Sequence, residues 1–274
     1  MHQSLTILGS GYTAKFFLPL AEQRYTRVCA TSRNPERHLT HLRPDQRVRF
    51  DLAQPDTWPS IPTATDMLWC FPAAPIEMVR RFAEAASLRT RRLVVLGSTS
   101  AYADSVCTGY PPSWVDEAAP IDLTKDRVQG EELLRTTYGA IVLRVAGIYG
   151  PGRNPIDWIR TGRVNRSRKY VNLIHVEDLA STCLAAMTHA EPSGVYNVSD
   201  GNPMTWNEIC ESIAQRWEIR SSTSREPGPP GKRVLNKRMS ELLKLDRVGL
   251  RYSNLFEALE LMQRSSLNEA RPSP

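Results

Sequence analysis

The turn Gly9-Ser-Gly11-Tyr-Thr-Ala14 has the residue types and spacing that cradle a pyrophosphate. Gly9 allows a tight exit from a strand, Gly11 lets the backbone come close to the phosphates, and Ala14 permits close packing of the following helix. The helix N-terminus offers unpaired N–H donors to an anion, so Gly9, Ser10, Gly11, Tyr12 and Thr13 are the expected phosphate-facing residues. A site for NAD places an acidic residue about 20 positions further on, for the ribose 2′-hydroxyl. None occurs from Gln23 to Pro35. Thr31-Ser32-Arg33 stands there instead, with Arg37 close behind, and guanidinium groups beside hydroxyls suit a 2′-phosphate. The expected cofactor is therefore NADP(H) rather than NAD(H), held at its extra phosphate by Ser32, Arg33 and Arg37. The competing reading of Arg33 and Arg37 is solvated surface charge.

Other chemistries lack their residues. There is no Cys-x-x-Cys and no His-Glu-x-x-His, so no metal site is expected. Gly228-Pro-Pro-Gly-Lys232 lacks the glycine spacing of a phosphate loop, and its two prolines remove backbone donors; it reads as a surface turn. Ser98 follows Gly97 but no second glycine completes a nucleophile elbow. Lys and Arg outnumber Asp and Glu by 35 to 29, a net charge of +6, which suits a small anionic substrate and does not point to nucleic acid. The basic run Arg160, Arg163, Arg166, Arg168 and Lys169 is either a diphosphate clamp or a solvated face.

The elements that would position these residues follow from the apolar pattern. Leu5–Leu8, Val28–Thr31, Val48–Phe50, Met67–Phe71, Leu93–Leu96 and Ile141–Arg144 are short apolar runs. Strands apolar throughout are what a parallel sheet covered on both faces requires. Helical spacing is expected over Thr13–Gln23, Glu77–Ser87 and Thr124–Thr137. The fold class is α/β, a Rossmann-type doubly wound parallel sheet with a smaller C-terminal substrate lobe. Residues 1–150 would form the dinucleotide-binding domain, its sheet completed by parts of 170–200. Residues 151–274 would form the lobe from interrupted elements, with a turn-rich connection at Glu226–Gly231. The 274 residues, 41% of them hydrophobic, supply a full core. Five widely spaced cysteines (Cys29, Cys70, Cys107, Cys183, Cys210) suggest reduced thiols and a cytoplasmic location. No secretory signal or membrane span is expected. Monomer and homodimer are both open, with 77–87 and 124–137 as the helices that would pair.

Several segments in order resemble the extended short-chain dehydrogenase/reductases, the epimerase and dehydratase group. These are the glycine turn, Asp51-Leu52, Ser98-Thr-Ser-Ala-Tyr102, Asp116-Glu117, Leu143–Gly152, Asn172–Asp178 and Tyr196–Ser199. The resemblance implies that Ser98 hydrogen-bonds the reacting oxygen of the substrate, and that Asp51, Leu52, Phe71 and Pro72 border the cofactor. The family's tyrosine base and the lysine one helical turn on are replaced here by Leu123 and Arg127, as in the family's atypical subgroup. Arg127 retains a charge for the nicotinamide ribose, but a guanidinium with a pKa above about 12 is a poor proton shuttle. Tyr102 and Tyr149 are the candidate replacement acids, against a plain packing role for each. His175 belongs to a segment the family uses structurally at a strand-to-helix junction. Two functions stay open: an oxidoreductase or epimerase-like enzyme on a small polar, nucleotide-linked or phosphorylated substrate, and a catalytically silent NADP(H)-binding sensor or regulator.

Overall fold

A computed structural model describes residues 4–63, 65–86, 92–106, 109–219 and 229–269. Cys107, Ser87, and the Glu226–Gly228 part of the proline-rich turn lie outside them.

Seven strands form one parallel sheet: β1 (Ser4–Leu8), β2 (Arg27–Ser32), β3 (Arg47–Arg49), β4 (Asp66–Trp69), β5 (Leu93–Ser98), β6 (Ile141–Val145) and β7 (Val195–Val198). Their order across the sheet is β7-β6-β5-β4-β1-β2-β3. The reversal of winding falls between β1 and β4, paired in register Leu5 with Asp66 and Leu8 with Trp69. In open α/β sheets that is where ligands bind, beyond the carboxyl ends of the strands.

Alternate side chains of each strand feed opposite cores, as a period of two requires. Leu5, Ile7, Leu68, Val94, Leu96 and Leu143 enter one cluster with Phe17 of helix α1 (Tyr12–Arg24). Leu8, Met67, Trp69, Leu93 and Val95 enter the other with Val79 and Phe82. A four-residue helix α2 (Pro35–His38) follows β2, and α3 (Ile76–Ala85) and α4 (Asp126–Tyr138) cover the second face. Helices α3 and α4 pack on each other and bury their apolar stripes in the same chain.

The last third is more regular than its sequence suggests. After the short α5 (Pro155–Arg160) come α6 (Val176–His189), α7 (Trp206–Trp217), α8 (Lys237–Leu245) and α9 (Leu255–Glu269). Helix α6 packs against α1 and α8, and Leu179, Cys183, Met239 and Leu242 join the first core. A third core forms from Tyr149, Ile156, Leu173, Ile209, Ile213, Tyr252 and Leu259. Among the described residues no helix is long and apolar enough to cross a membrane, the cysteines Cys29, Cys70, Cys183 and Cys210 are unpaired, and no His, Cys, Asp or Glu group is placed to hold a metal.

Candidate functional site

Two cavities open along the carboxyl edge of the sheet. The first, about 440 Å³, lies at the ends of β1 to β4 and is lined by Gly9, Ser10, Ser32, Arg33, His38, Asp51, Leu52 and Phe71, among others. The glycine turn is built to keep its backbone bare there. Gly9 has φ +86°, and a Cβ on it would stand 2.8 Å from the Phe71 ring. Its N–H donates to Thr31 Oγ1 at 2.9 Å, while Ser10 Oγ donates to the Thr31 carbonyl at 2.7 Å, so the turn is clamped to β2. Gly11 begins α1 with no side-chain cap and no acidic residue in the first turn, and nothing lies within 4 Å of where its Cβ would be. Unpaired N–H groups facing open space are what an anion needs.

Tyr12 turns away from this cavity and bridges to the far side of the crevice. Its hydroxyl donates to the Pro151 carbonyl at 3.0 Å, and the Arg153 guanidinium sits 4.1 Å from its ring centre. Thr13 is buried inside the first turn of α1. Of the two arginines expected at the 2′-phosphate, Arg33 lines the cavity and Arg37 does not; Pro72 also stays off the wall, where Ala74 and Pro75 stand. His38, unremarked in the sequence, does line it, 2.9 Å from Ser32 Oγ through Nδ1. A helix of a single turn hides this, because neighbouring residues point about 100° apart.

The second cavity, about 570 Å³, begins at Ser98 on β5 and runs past Val145 and Ala146 to Trp158, Tyr170, Asn172, Trp206, Pro230 and Lys232. Ser98 Oγ accepts the Ser100 N–H at 3.2 Å, which leaves its own proton free to donate. Lys232 reaches Asp104 at 3.0 Å, and Lys169 lines the wall. The turn read as superficial is therefore a wall of this cavity: the Tyr170 N–H donates to the Pro230 carbonyl at 2.7 Å, and Gly231 lies so close to Tyr170 that a Cβ would overlap its carbonyl. From the basic run only Lys169 lines it. Arg160 pairs with Asp157, Arg163 lies over Trp158, and Arg168 lies 3.9 Å from the ring centre of Tyr110.

Arg127 is held by its own helix. Its Nε and Nη2 each lie 3.2 Å from Glu131 Oε1, and Glu131 is 2% exposed. That carboxylate is pressed on Gly97, where a Cβ would be 2.6 Å from it. Burial raises the Glu131 pKa, against the opposing charge of Arg127. Leu123 is 55% exposed, and Lys125 beside it reaches the Ser100 carbonyl at 2.8 Å.

Neither candidate phenol joins Ser98 in the cavity. Tyr102 is fully buried, donates to Asn197 Oδ1 at 2.5 Å and lies under Arg144; burial raises its pKa. Tyr149 is buried in the third core with its hydroxyl unpaired among the described residues, and burial also raises its pKa. His175 caps α6, its Nδ1 accepting the Glu177 N–H at 3.3 Å, and stacks on Tyr252 with ring centres 3.7 Å apart. Burial lowers its pKa to about 4.

No protein-family profile matches the chain, and no curated protein sequence does. Solved structures do. A conserved protein of unknown function from Silicibacter pomeroyi DSS is 26% identical over 96% of this chain and 99% of its own, with TM-score 0.72. A short-chain dehydrogenase/reductase superfamily protein from Agrobacterium tumefaciens with bound NAD is 16% identical over 97% and 99%, with TM-score 0.76. A human epimerase family protein with NADPH is 14% identical over 95% and 99%, with TM-score 0.68. Strand order and these likenesses together give the chain the fold of the extended short-chain dehydrogenase/reductases.

Proposed function

We propose that the chain is an NADP(H)-dependent oxidoreductase or epimerase-like enzyme acting on a small, polar, anionic substrate. The observation that carries this reading is the pair of cavities on one sheet edge, the first bordered by Gly9 and Ser10 of the glycine turn and the second by the free hydroxyl proton of Ser98. The uncapped α1 N-terminus, the space at Gly11 and the absence of an acidic residue at the end of β2 fit a phosphorylated dinucleotide. Such a cofactor supplies or accepts a hydride at its nicotinamide ring.

The residues of this chain have separable tasks. Gly9 and Ser10 present the phosphate-facing backbone, with open space at Gly11 beside them, and Phe71, Asp51 and Leu52 wall the adenosine end. Ser98 donates a hydrogen bond to the reacting oxygen of the substrate and orients it. Lys169 meets the anionic end, and the Trp158, Tyr170 and Trp206 rings exclude water from the remainder.

A second reading, a dinucleotide-binding regulator without turnover, draws its support from Leu123 and from the engagement of Arg127 by Glu131. One experiment separates the two. NADPH binding is measured by fluorescence titration, and its oxidation is followed with carbonyl compounds and nucleotide sugars. Turnover of any of them supports the enzyme; tight binding with no turnover across the panel supports the regulator; absence of binding rejects both.

A further inference from the structure

The short helix after β2 is held in one orientation. Asn34 caps it, its Oδ1 accepting the Arg37 N–H at 3.2 Å, and Pro35 occupies its first position with the φ a helix start requires. Ser32 Oγ accepts the Asn34 N–H at 3.1 Å and lies 2.9 Å from His38 Nδ1. A hydroxyl has one proton. Its oxygen keeps a second lone pair, so Ser32 either donates that proton to Nδ1 or accepts from it; in the tautomer that accepts at Nδ1, the ring N–H stands at Nε2. No described residue accepts from Nε2.

The surroundings suit an anionic ligand group. His38, Ser32 and Arg33 line the same cavity. Glu36, on the same helix, is paired with Arg47 at 3.3 Å. Asp51 also lines the cavity, from the end of β3, and its Oδ1 is occupied by the Ala53 N–H at 3.0 Å. An imidazole N–H and a guanidinium are donors only, so they match phosphate oxygens better than a ribose hydroxyl that must itself donate.

We infer that His38 acts with Arg33 and Ser32 as the specificity determinant for the 2′-phosphate of NADP(H), and that Arg37 lies outside this site. The inference rests on the dinucleotide reading above. It is tested by calorimetric titration of the full chain, as wild type, His38→Ala and Arg37→Ala, with NADP⁺ and with NAD⁺. Loss of one hydrogen bond to a charged group should weaken NADP⁺ about tenfold in His38→Ala, with NAD⁺ unchanged. Arg37→Ala should leave both affinities as in wild type. A fall of equal size for both cofactors in His38→Ala, no fall for either, or a selective NADP⁺ loss in Arg37→Ala would overturn the assignment while leaving the dinucleotide reading intact. If the wild type bound neither cofactor, that reading would fail and the assignment with it. His38 is exposed and off the apolar cores, and 2′,5′-ADP against 5′-AMP gives the same comparison without the nicotinamide half.

Discussion

Asp200 and His175 should impose opposite pH dependences on stability, and Asp200→Asn should separate them. Burial raises the Asp200 carboxyl pKa to about 7, opposed by hydrogen bonds from the Asn202 N–H and its own backbone N–H, with the nearby Asp178 charge adding to the rise. Between about pH 4 and 7 the unfolded chain has released this proton and the folded chain keeps it. Folding is then disfavoured by about 1.4 kcal/mol for each pH unit gained. For His175 the folded value falls to about 4, so over the lower part of the same range the unfolded chain holds the extra proton, and stability rises with pH. In the wild type the two slopes largely cancel up to about pH 6.5. Asparagine cannot ionise, yet its side-chain oxygen can still accept the Asn202 N–H. The variant should therefore gain about 2 kcal/mol on the wild type between pH 5 and 7, and only about 0.3 kcal/mol more by pH 8. Urea unfolding followed by tryptophan fluorescence at pH 5, 6, 7 and 8 reads this difference. A variant-minus-wild-type difference that stays flat from pH 5 to 8 refutes the argument, whatever constant offset the substitution adds.

Four further outcomes are expected. Gly130→Ala should destabilise by about 3 kcal/mol, because its Cβ would overlap the Ala73 carbonyl, and an unchanged melting temperature would contradict that contact. Gly9→Ala should cost roughly 1–2 kcal/mol through its left-handed backbone alone, and should also weaken NADPH binding in a fluorescence titration. For any anionic substrate found in the panel, Lys169→Met should raise KM about tenfold with little change in kcat. If the silent reading holds, Leu123→Tyr alone should not start turnover, since Arg127 stays on Glu131; steady-state NADPH oxidation checks it.

The strands were legible because a sheet covered on both faces leaves an unbroken apolar run, and the Gly9 turn because few residues tolerate a φ of +86°. Helices α7 and α8 were not, although each carries an apolar stripe at helical spacing, Ile209, Cys210 and Ile213 in one and Met239, Leu242 and Leu243 in the other, because the turn-rich segments around them broke the strand-helix rhythm. Site residues divide in the same way. Ser98 was legible through the family resemblance, and it lines the second cavity from the end of β5. His38 and Lys232 gave no comparable signal, because their places depend on a one-turn helix and on a strap that meets Tyr170 from 60 residues along the chain. Tyr102 looked available at four residues past Ser98, and only the tertiary fold shows Asn197 occupying its hydroxyl.

The grip of Arg127 on a nearly dehydrated acid gives this guanidinium a task independent of any cofactor. A neutral side chain at 127 would strand the Glu131 charge, at a cost of about 3–5 kcal/mol. The cation at 127 is thus accounted for by folding alone, with or without redox turnover. A basic residue there testifies to folding, and is no witness to activity.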